Sequence, residues 1–283
     1  MILVYGRGWI GNMVVEHLKE MGIKFCVGQA RLDDLEEVKR ELCESQATNV
    51  MCLVGRTHGV IDGVEYPTID YLEQPGKLYE NIRDNLFSQV SLAILCQERK
   101  IHLSVIATGC IFNYDSTGKL FIEESLPNFF DSSYSIVKGF TDRLMHLIPC
   151  CNMRIRMPIS TGHEKRNFIT KILNYKKICS APNSMTVLED FIPIMVDLSM
   201  KNFIGTVNLT NPGTISHNEI LQMYKEIVNP DYTWENFTYE EQVELLKNGR
   251  SNNELDTSIL TSLYDVPDIH TSVSRILEQM GRD

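Results

Sequence analysis

Tyr134 and Lys138 stand one helical turn apart in Tyr134-Ser-Ile-Val-Lys138, inside a stretch, 132–148, whose apolar spacing is helical. It is the one Tyr-x-x-x-Lys pair in the chain. A cationic lysine beside a phenol stabilises the phenolate, which makes the tyrosine a usable proton donor or acceptor near neutral pH. Thr108 directly follows the apolar run Leu103 to Ala107. A hydroxyl just past the end of a buried strand, where ligands meet parallel sheets, can hydrogen-bond a substrate carbonyl. Cys110 follows two residues later. If the chain stays extended there, both side chains point to one face, and the thiol can serve as an acid, a base or a nucleophile. The alternative is a structural cysteine. Lys171, in Arg166-Asn-Phe-Ile-Thr-Lys171, is either a second acid/base in the same pocket or a surface lysine.

A second candidate site opens the chain. Gly6-Arg7-Gly8-Trp9-Ile10-Gly11 follows a short apolar run and begins a helical pattern. Glycines permit a tight turn and a close backbone approach, and the helix N-terminus offers N–H donors to a pyrophosphate. A G-x-G-x-x-G string is weak evidence alone, but this one lies at the first strand–helix junction, the context that dinucleotide binding requires. The alternative is a glycine-rich turn without a ligand. Gly55, at the end of the third apolar run, belongs to the same expected cofactor site. An NAD site wants a carboxylate at the end of the second strand. Val27-Gly-Gln-Ala-Arg31 has none there. Arg31, with Arg7, either meets the 2′-phosphate of NADP or is a solvated arginine, and NADP is favoured over NAD.

Positioning these residues takes alternating strands and helices. Apolar runs at Ile2 to Tyr5, Lys24 to Val27, Asn49 to Val54, Leu103 to Ala107 and Met153 to Met157 read as strands. Helical patterns cover Trp9 to Met21, the segment to about Ser45, Lys77 to Lys100 and Ser132 to Ile148. Asp33-Asp-Leu-Glu36 has the shape of a capping box for the second of these. Such alternation implies βαβ units: an α/β fold, a Rossmann-type doubly wound parallel sheet. After Pro158 turn residues multiply, and capping boxes stand at Ser216 to Glu219 and Thr238 to Glu241. Residues 1–157 are therefore expected to form the dinucleotide-binding core. Its sheet would be completed from 186–212 by a sixth strand, Thr206 to Leu209. Residues 158–283 would form a smaller, mostly helical C-terminal substrate domain, interleaved with the core.

Composition narrows the function. The chain has 283 residues, 43% of them apolar and 23% charged. That is ordinary globular make-up, able to bury roughly 75% of the unfolded surface. Lys+Arg 27 against Asp+Glu 37 leaves a net charge of −10, the wrong sign for a general binder of nucleic acid or anionic membrane. Eight cysteines contain no C-x-x-C pair, so neither a zinc site nor a thioredoxin-like site is expected. Most lie in apolar runs, as small buried hydrophobes do, which fits a reduced, cytoplasmic compartment. No apolar run approaches the roughly 18 residues needed to span a bilayer.

Thr108, Tyr134 and Lys138 behind a glycine fold resemble the constellation of the extended short-chain dehydrogenase/reductases. Asn85 stands where that branch often carries an asparagine; capping or packing is its alternative role. Longer strings are more specific. Ala107-Thr-Gly-Cys-Ile-Phe112, Asn113-Tyr-Asp115, Arg154-Ile-Arg-Met-Pro-Ile-Ser160, Arg166 to Lys171, Pro182-Asn-Ser-Met-Thr186, Ser216-His-Asn-Glu-Ile-Leu221 and Arg250-Ser-Asn-Asn-Glu-Leu-Asp256 carry the likeness. They resemble the bifunctional UDP-4-keto-6-deoxy-D-glucose 3,5-epimerase/4-reductases of UDP-L-rhamnose synthesis, along the whole chain. One departure is that the family's first turn is usually G-x-x-G-x-x-G. The resemblance implies that Cys110 and Lys171 act as acid and base at carbons 3 and 5. It implies that Thr108 and Tyr134 polarise the ketone, and that NADPH reduces carbon 4 with Tyr134 and Lys138. It also implies that Asn167 and Arg250 contact the UDP part, that a 4,6-dehydratase supplies the substrate, and that the Lys77 and Ser132 helices form a homodimer. The competing expectations are a plain nucleotide-sugar 4-ketoreductase, akin to dTDP-4-keto-rhamnose reductase or GDP-fucose synthase, and a catalytically silent NADP-binding regulatory subunit.

Overall fold

A computed structural model describes residues 1–238, 240–241 and 250–282. The strands are β1 (Ile2–Tyr5), β2 (Phe25–Val27), β3 (Asn49–Cys52), β4 (Gly59–Ile61), β5 (Val64–Tyr66), β6 (His102–Thr108), β7 (Cys151–Ile155), β8 (Pro158–Ile159), β9 (Thr186–Val187) and β10 (Gly205–Asn208). The helices are α1 (Trp9–Glu20), α2 (Leu35–Ser45), α3 (Leu78–Ile82), α4 (Ser88–Glu98), α5 (Ser133–Met145), α6 (Phe168–Leu173), α7 (Leu188–Met200), α8 (His217–Ile227), α9 (Ser258–Leu263) and α10 (Ile269–Met280). They fall into two compact units. The first holds Met1–Thr108, Ser132–Arg154 and Ile192–Val207; the second holds Gly109–Asp131, Ile155–Phe191 and Asn208–Asp283. Of the core expected over 1–157, residues 109–131 and 155–157 group with the second unit, while 192–207, inside the 186–212 segment expected to complete the sheet, groups with the first.

A six-stranded sheet runs in the order β10-β7-β6-β3-β1-β2. β1 pairs in parallel with both β2 and β3, and β3 with β6. The strand order reverses at β1, so the switch point, where such sheets bind ligands, falls at the glycine turn after Tyr5. All four residues of β1 and of β3 are buried, as strands covered on both faces must be. Leu3, Val50, Leu103 and Val105 from the strands pack with Val38, Leu42, Leu92 and Cys96 from the helices. β10 joins the sheet edge close to where the apolar run at Thr206 to Leu209 predicts a strand.

Two local expectations change. The helix expected over Lys77 to Lys100 is α3 and α4 joined by a π-helical turn, Arg83–Phe87. One extra residue per turn leaves the apolar spacing almost intact, so periodicity does not reveal it. At α2 the cap is Asp34, whose carboxylate accepts from the Glu37 amide at 3.2 Å. Asp33 is engaged elsewhere, by the Arg31 guanidinium at 3.1 Å and 3.3 Å. The Ser216–Glu219 box forms in full, and Thr238 and Glu241 also exchange reciprocal bonds.

In the second unit, β8 pairs in parallel with β9, and Ile159, Ile169, Val187, Ile220, Val273 and Leu277 form a separate apolar cluster. No helix among the described residues is long and apolar enough to cross a membrane.

Helix α5 is held by a buried charge cluster in the first unit. Asp142 accepts from Arg154 at 2.9 Å and 2.7 Å and from Asn152 at 2.9 Å. Asp142 and Arg154 are 2% and 0% exposed, so each depends on the other for solvation. Burial alone would raise the Asp142 carboxyl, but hydrogen bonds from Arg154 and His146 outweigh it and hold it far below the usual carboxylate range. Asp142→Ala is expected to cost about 3–5 kcal/mol, because it strands a buried guanidinium. The depressed folded-state pKa means that this stabilisation is complete above the unfolded value of about 3.9 and fades as pH falls below it. Urea unfolding of both proteins from pH 7 down to pH 3 measures this; a cost that is small at pH 7, or unchanged at pH 3, contradicts it.

Candidate active site

The turn after β1 fits a dinucleotide. Gly6 has φ +102°, and a Cβ there would lie 2.7 Å from the Leu53 carbonyl carbon. At Gly11 a Cβ would lie 1.9 Å from the Gly6 oxygen. Only glycine fits either position. Gly8 is the N-cap residue of α1, where no side chain caps the helix and no acidic residue sits in the first turn. The first N–H groups, those of Trp9, Ile10 and Gly11, therefore keep the partial positive charge that suits a phosphate. Arg7 is exposed beside them. After β2, the Gln29 and Ala30 amides donate to Glu41 Oε1 at 2.7 Å and 3.0 Å, which fixes the segment leading to Arg31. Arg31 is exposed and rests on Asp33, which also lies 3.8 Å from Arg83.

In the same unit Tyr134 and Lys138 lie one turn apart on α5, 7% and 4% exposed, and Thr108 ends β6 at 7%. The Ser132 side chain caps α5. A second cap comes from far away in sequence: Glu73 accepts from the Ser133 amide at 3.0 Å, the Ser133 hydroxyl at 3.0 Å and the Tyr134 amide at 3.2 Å. The Lys138 ammonium donates to Gln89 Oε1 at 2.8 Å. Burial pulls that ammonium down to about 8, against the opposing pull of Cys52 and Asp142.

Of the amides that hold these groups, the sequence singles out Asn85 but not Asn81 or Gln89. Asn81, Asn85 and Gln89 are buried amides at successive turns of the α3–α4 segment. Asn85 accepts from the Arg56 amide at 2.7 Å and donates to the Arg56 carbonyl at 2.8 Å. It also donates to Asn81, which in turn donates to the Ser133 hydroxyl. So Asn85 pins the loop after β3, next to Gly55, whose added Cβ would lie 3.6 Å from Asn85 Oδ1. The available signal was polar amides at four-residue spacing on an otherwise apolar helix face.

The second unit holds the remaining candidates. Cys110 is half-buried, unlike Cys52, Cys96, Cys150 and Cys151, which are fully buried. Burial pushes those four thiols up, Cys52 to about 11 and the others to about 12. Arg156 Nη1 lies 3.7 Å from Cys110 Sγ and also donates to the Gly109 carbonyl and to Ser251 Oγ. Its Nη2 donates to Asn183 Oδ1 and to the Ser251 carbonyl. Asn253 adds bonds to the Gly109 and Phe112 carbonyls, both at 2.9 Å. Arg156 is 1% exposed. In sequence Arg156 is one residue of the Arg154 to Ser160 string, and its spacing alone does not single it out.

Lys171 is half-buried in the last turn of α6, and Arg250 is exposed. Asn167 is fully buried, and its amide is already committed. It caps α6 through the Ile169 amide and donates to the Ser160 and Gly162 carbonyls at 2.6 Å and 2.7 Å. This places Asn167 as a brace for the helix that carries Lys171 rather than as a ligand contact. His217, between Phe168 and Arg156, is pulled down to about 4, first by burial and then by the Arg156 charge.

No family model matches the chain. The L780 protein of Acanthamoeba polyphaga mimivirus is 50% identical, with 98% of each chain covered. Its crystal structure, described as a UDP-rhamnose synthase, superposes with a TM-score of 0.93 over 99% of each chain. A bifunctional dTDP-4-dehydrorhamnose 3,5-epimerase/dTDP-4-dehydrorhamnose reductase of Arabidopsis thaliana is 38% identical, covering 97% of this chain and 91% of its own. A dTDP-4-dehydrorhamnose reductase of Bacillus anthracis, solved with NADP, has a TM-score of 0.79 at 14% identity and shares the fold.

The geometry after β2 predicts a cofactor preference. Arg31→Ala is expected to weaken NADPH binding about tenfold, the loss of a charge-assisted contact, with little effect on NADH. Fluorescence titration of both nucleotides checks this; equal weakening of the two, or none, contradicts it.

Proposed function

Because the chain belongs to the family of bifunctional 3,5-epimerase/4-reductases of 4-keto-6-deoxy nucleotide sugars, we propose that it converts UDP-4-keto-6-deoxy-D-glucose to UDP-L-rhamnose. Protons on carbons 3 and 5 are both alpha to the ketone at carbon 4, so one polarised carbonyl acidifies both. Thr108 and Tyr134 hydrogen-bond the ketone oxygen and stabilise the enolate. Cys110 and Lys171 take and return the protons that invert the two carbons. Residues 6–11, Arg31 and Gly55 would hold NADPH, which when bound would supply hydride for carbon 4. Tyr134 gives its proton to the carbon-4 oxygen, while Lys138 stays cationic beside it and orients the nicotinamide ribose. Epimerisation must come first, since reduction destroys the ketone that acidifies the ring.

Cys110 is the observation that favours two activities over a plain ketoreductase. Half-burial it shares with Cys26 and Cys179; what sets this thiol apart is the Arg156 guanidinium 3.7 Å from its sulfur. Intact Thr108, Tyr134 and Lys138 argue against a silent regulatory subunit. Arg250 offers a bidentate fork to the diphosphate. Asn167 contributes by bracing α6. We assign the first unit to the cofactor and the second to the nucleotide sugar. A separate 4,6-dehydratase must make the ketone. Phe140, Leu144 and Leu147, exposed along one stripe of α5 and its end, support a homodimer that covers them.

Incubation with NADPH and UDP-4-keto-6-deoxy-D-glucose tests the assignment. NADPH should be consumed and the product should have the L-rhamno configuration; a D-configured product would mark a plain ketoreductase. Tyr134→Phe should lower NADPH oxidation by on the order of 10²–10⁴ with the fold intact. Near-normal oxidation by this variant would assign the proton to another group.

A further inference from the structure

A lysine ammonium has three N–H donors and no acceptor, and burying it is costly unless oxygens receive those donors. Lys138 is 4% exposed. Among the described residues, Gln89 Oε1 is the one hydrogen-bond acceptor that reaches it, at 2.8 Å. Gln89 is 1% exposed and lies on α4, a different helix from Lys138. Its orientation is set from the other end, because its Nε2 donates to the Val54 carbonyl at 2.6 Å. A carbonyl can only accept, so the amide cannot be reversed, and Oε1 must face Lys138.

We propose that Gln89 is a positioning residue for the reduction. It ties the Lys138 ammonium through one N–H to Val54, just past β3, and leaves the other two donors for the cofactor ribose and Tyr134. This rests on the assignment of Lys138 to reduction made above. The alternative is that Gln89 is only a satisfied core amide.

The two roles differ in what they do to charge. The groups facing the ammonium are Gln89 from α4, Cys52 from β3 and Asp142 from α5 itself. The Asp142 carboxylate is occupied by Arg154 and Asn152. Cys52 is a neutral thiol at working pH, since burial pushes it to about 11. Gln89 is thus the group that hydrogen-bonds the charged lysine directly, and it favours that form over the neutral amine. Without it burial acts with less opposition, and the lysine, already near 8, loses its charge at lower pH. The rate of reduction should then begin to fall at lower pH.

The test compares pH profiles of reduction for the unmutated enzyme, Gln89→Met and Gln89→Glu, with melting temperatures measured alongside. Gln89→Met removes the acceptor at similar volume. Its basic limb should move down by about one pH unit, which lowers kcat about tenfold near pH 8 while the KM for the sugar holds. Gln89→Glu keeps an oxygen towards Lys138 in either protonation state, so its basic limb should stay at or above that of the unmutated enzyme. Should Gln89→Met not fold, Gln89→Leu carries the same expectation. A basic limb unmoved in the apolar variant overturns the proposal, as does a limb lowered equally in Gln89→Glu. Lys138→Met is the control for the parent assignment. If that variant reduces the sugar normally, Lys138 itself has been misassigned; if it is inactive while the Gln89 variants behave as unmutated enzyme, only the role of Gln89 fails.

Discussion

A lysine ammonium nearly cut off from water makes the heaviest demand on the first unit. In the proposed reduction Lys138 serves Tyr134 only as a cation, and burial has already brought it to about 8. The neighbouring structure meets that demand with fixed polar groups. Gln89 gives the ammonium an oxygen, and Val54 fixes the glutamine. Asp142, one turn beyond Lys138, locks the same helix face to the sheet through Arg154. Glu73 and Ser132 receive the first amides of α5, next to Tyr134. The tyrosine and lysine are thereby set by three bonded supports rather than by helix packing alone, the arrangement that a proton donor with a defined position requires.

The second unit solves a related problem with the opposite sign of partner. Cys110 sits on a segment with no regular structure of its own, and Arg156 and Asn253 bind the carbonyls of Gly109 and Phe112 to hold that segment. A guanidinium serves well here because its five donors reach several acceptors at once. The boundary between the units falls at this point of the chain: Thr108 ends the first unit's strand, and Gly109 opens the segment that carries Cys110.

Much of this was legible in the residues alone. The glycine turn, the strand–helix alternation, the Tyr134–Lys138 spacing and the long strings shared with the family are local or nearly so. The polar supports were not legible, because each joins residues far apart in sequence. Glu73 reaches Ser133, Gln89 reaches Lys138, and Arg156 reaches Ser251, and only the tertiary fold brings such pairs together. Local rules also failed where a distant or competing partner intervened. Asp33 fits the local cap pattern, but Arg31 engages it; Asn167, which the family resemblance rather than a local rule pointed to as a UDP contact, has its amide bonded within its own loop. The π turn at Arg83–Phe87 and the hairpin of β4 and β5 escaped because neither leaves a strong periodic trace.

Proton NMR of the sugar ring in deuterium oxide, without NADPH, tests the two-activity account most directly, since enolisation needs no hydride. The unmutated enzyme should exchange the protons at both carbon 3 and carbon 5 of UDP-4-keto-6-deoxy-D-glucose. Cys110→Ala and Lys171→Met should each suppress exchange at one carbon or both. Exchange at neither carbon by the unmutated enzyme, or undiminished exchange at both by each variant, would contradict the account.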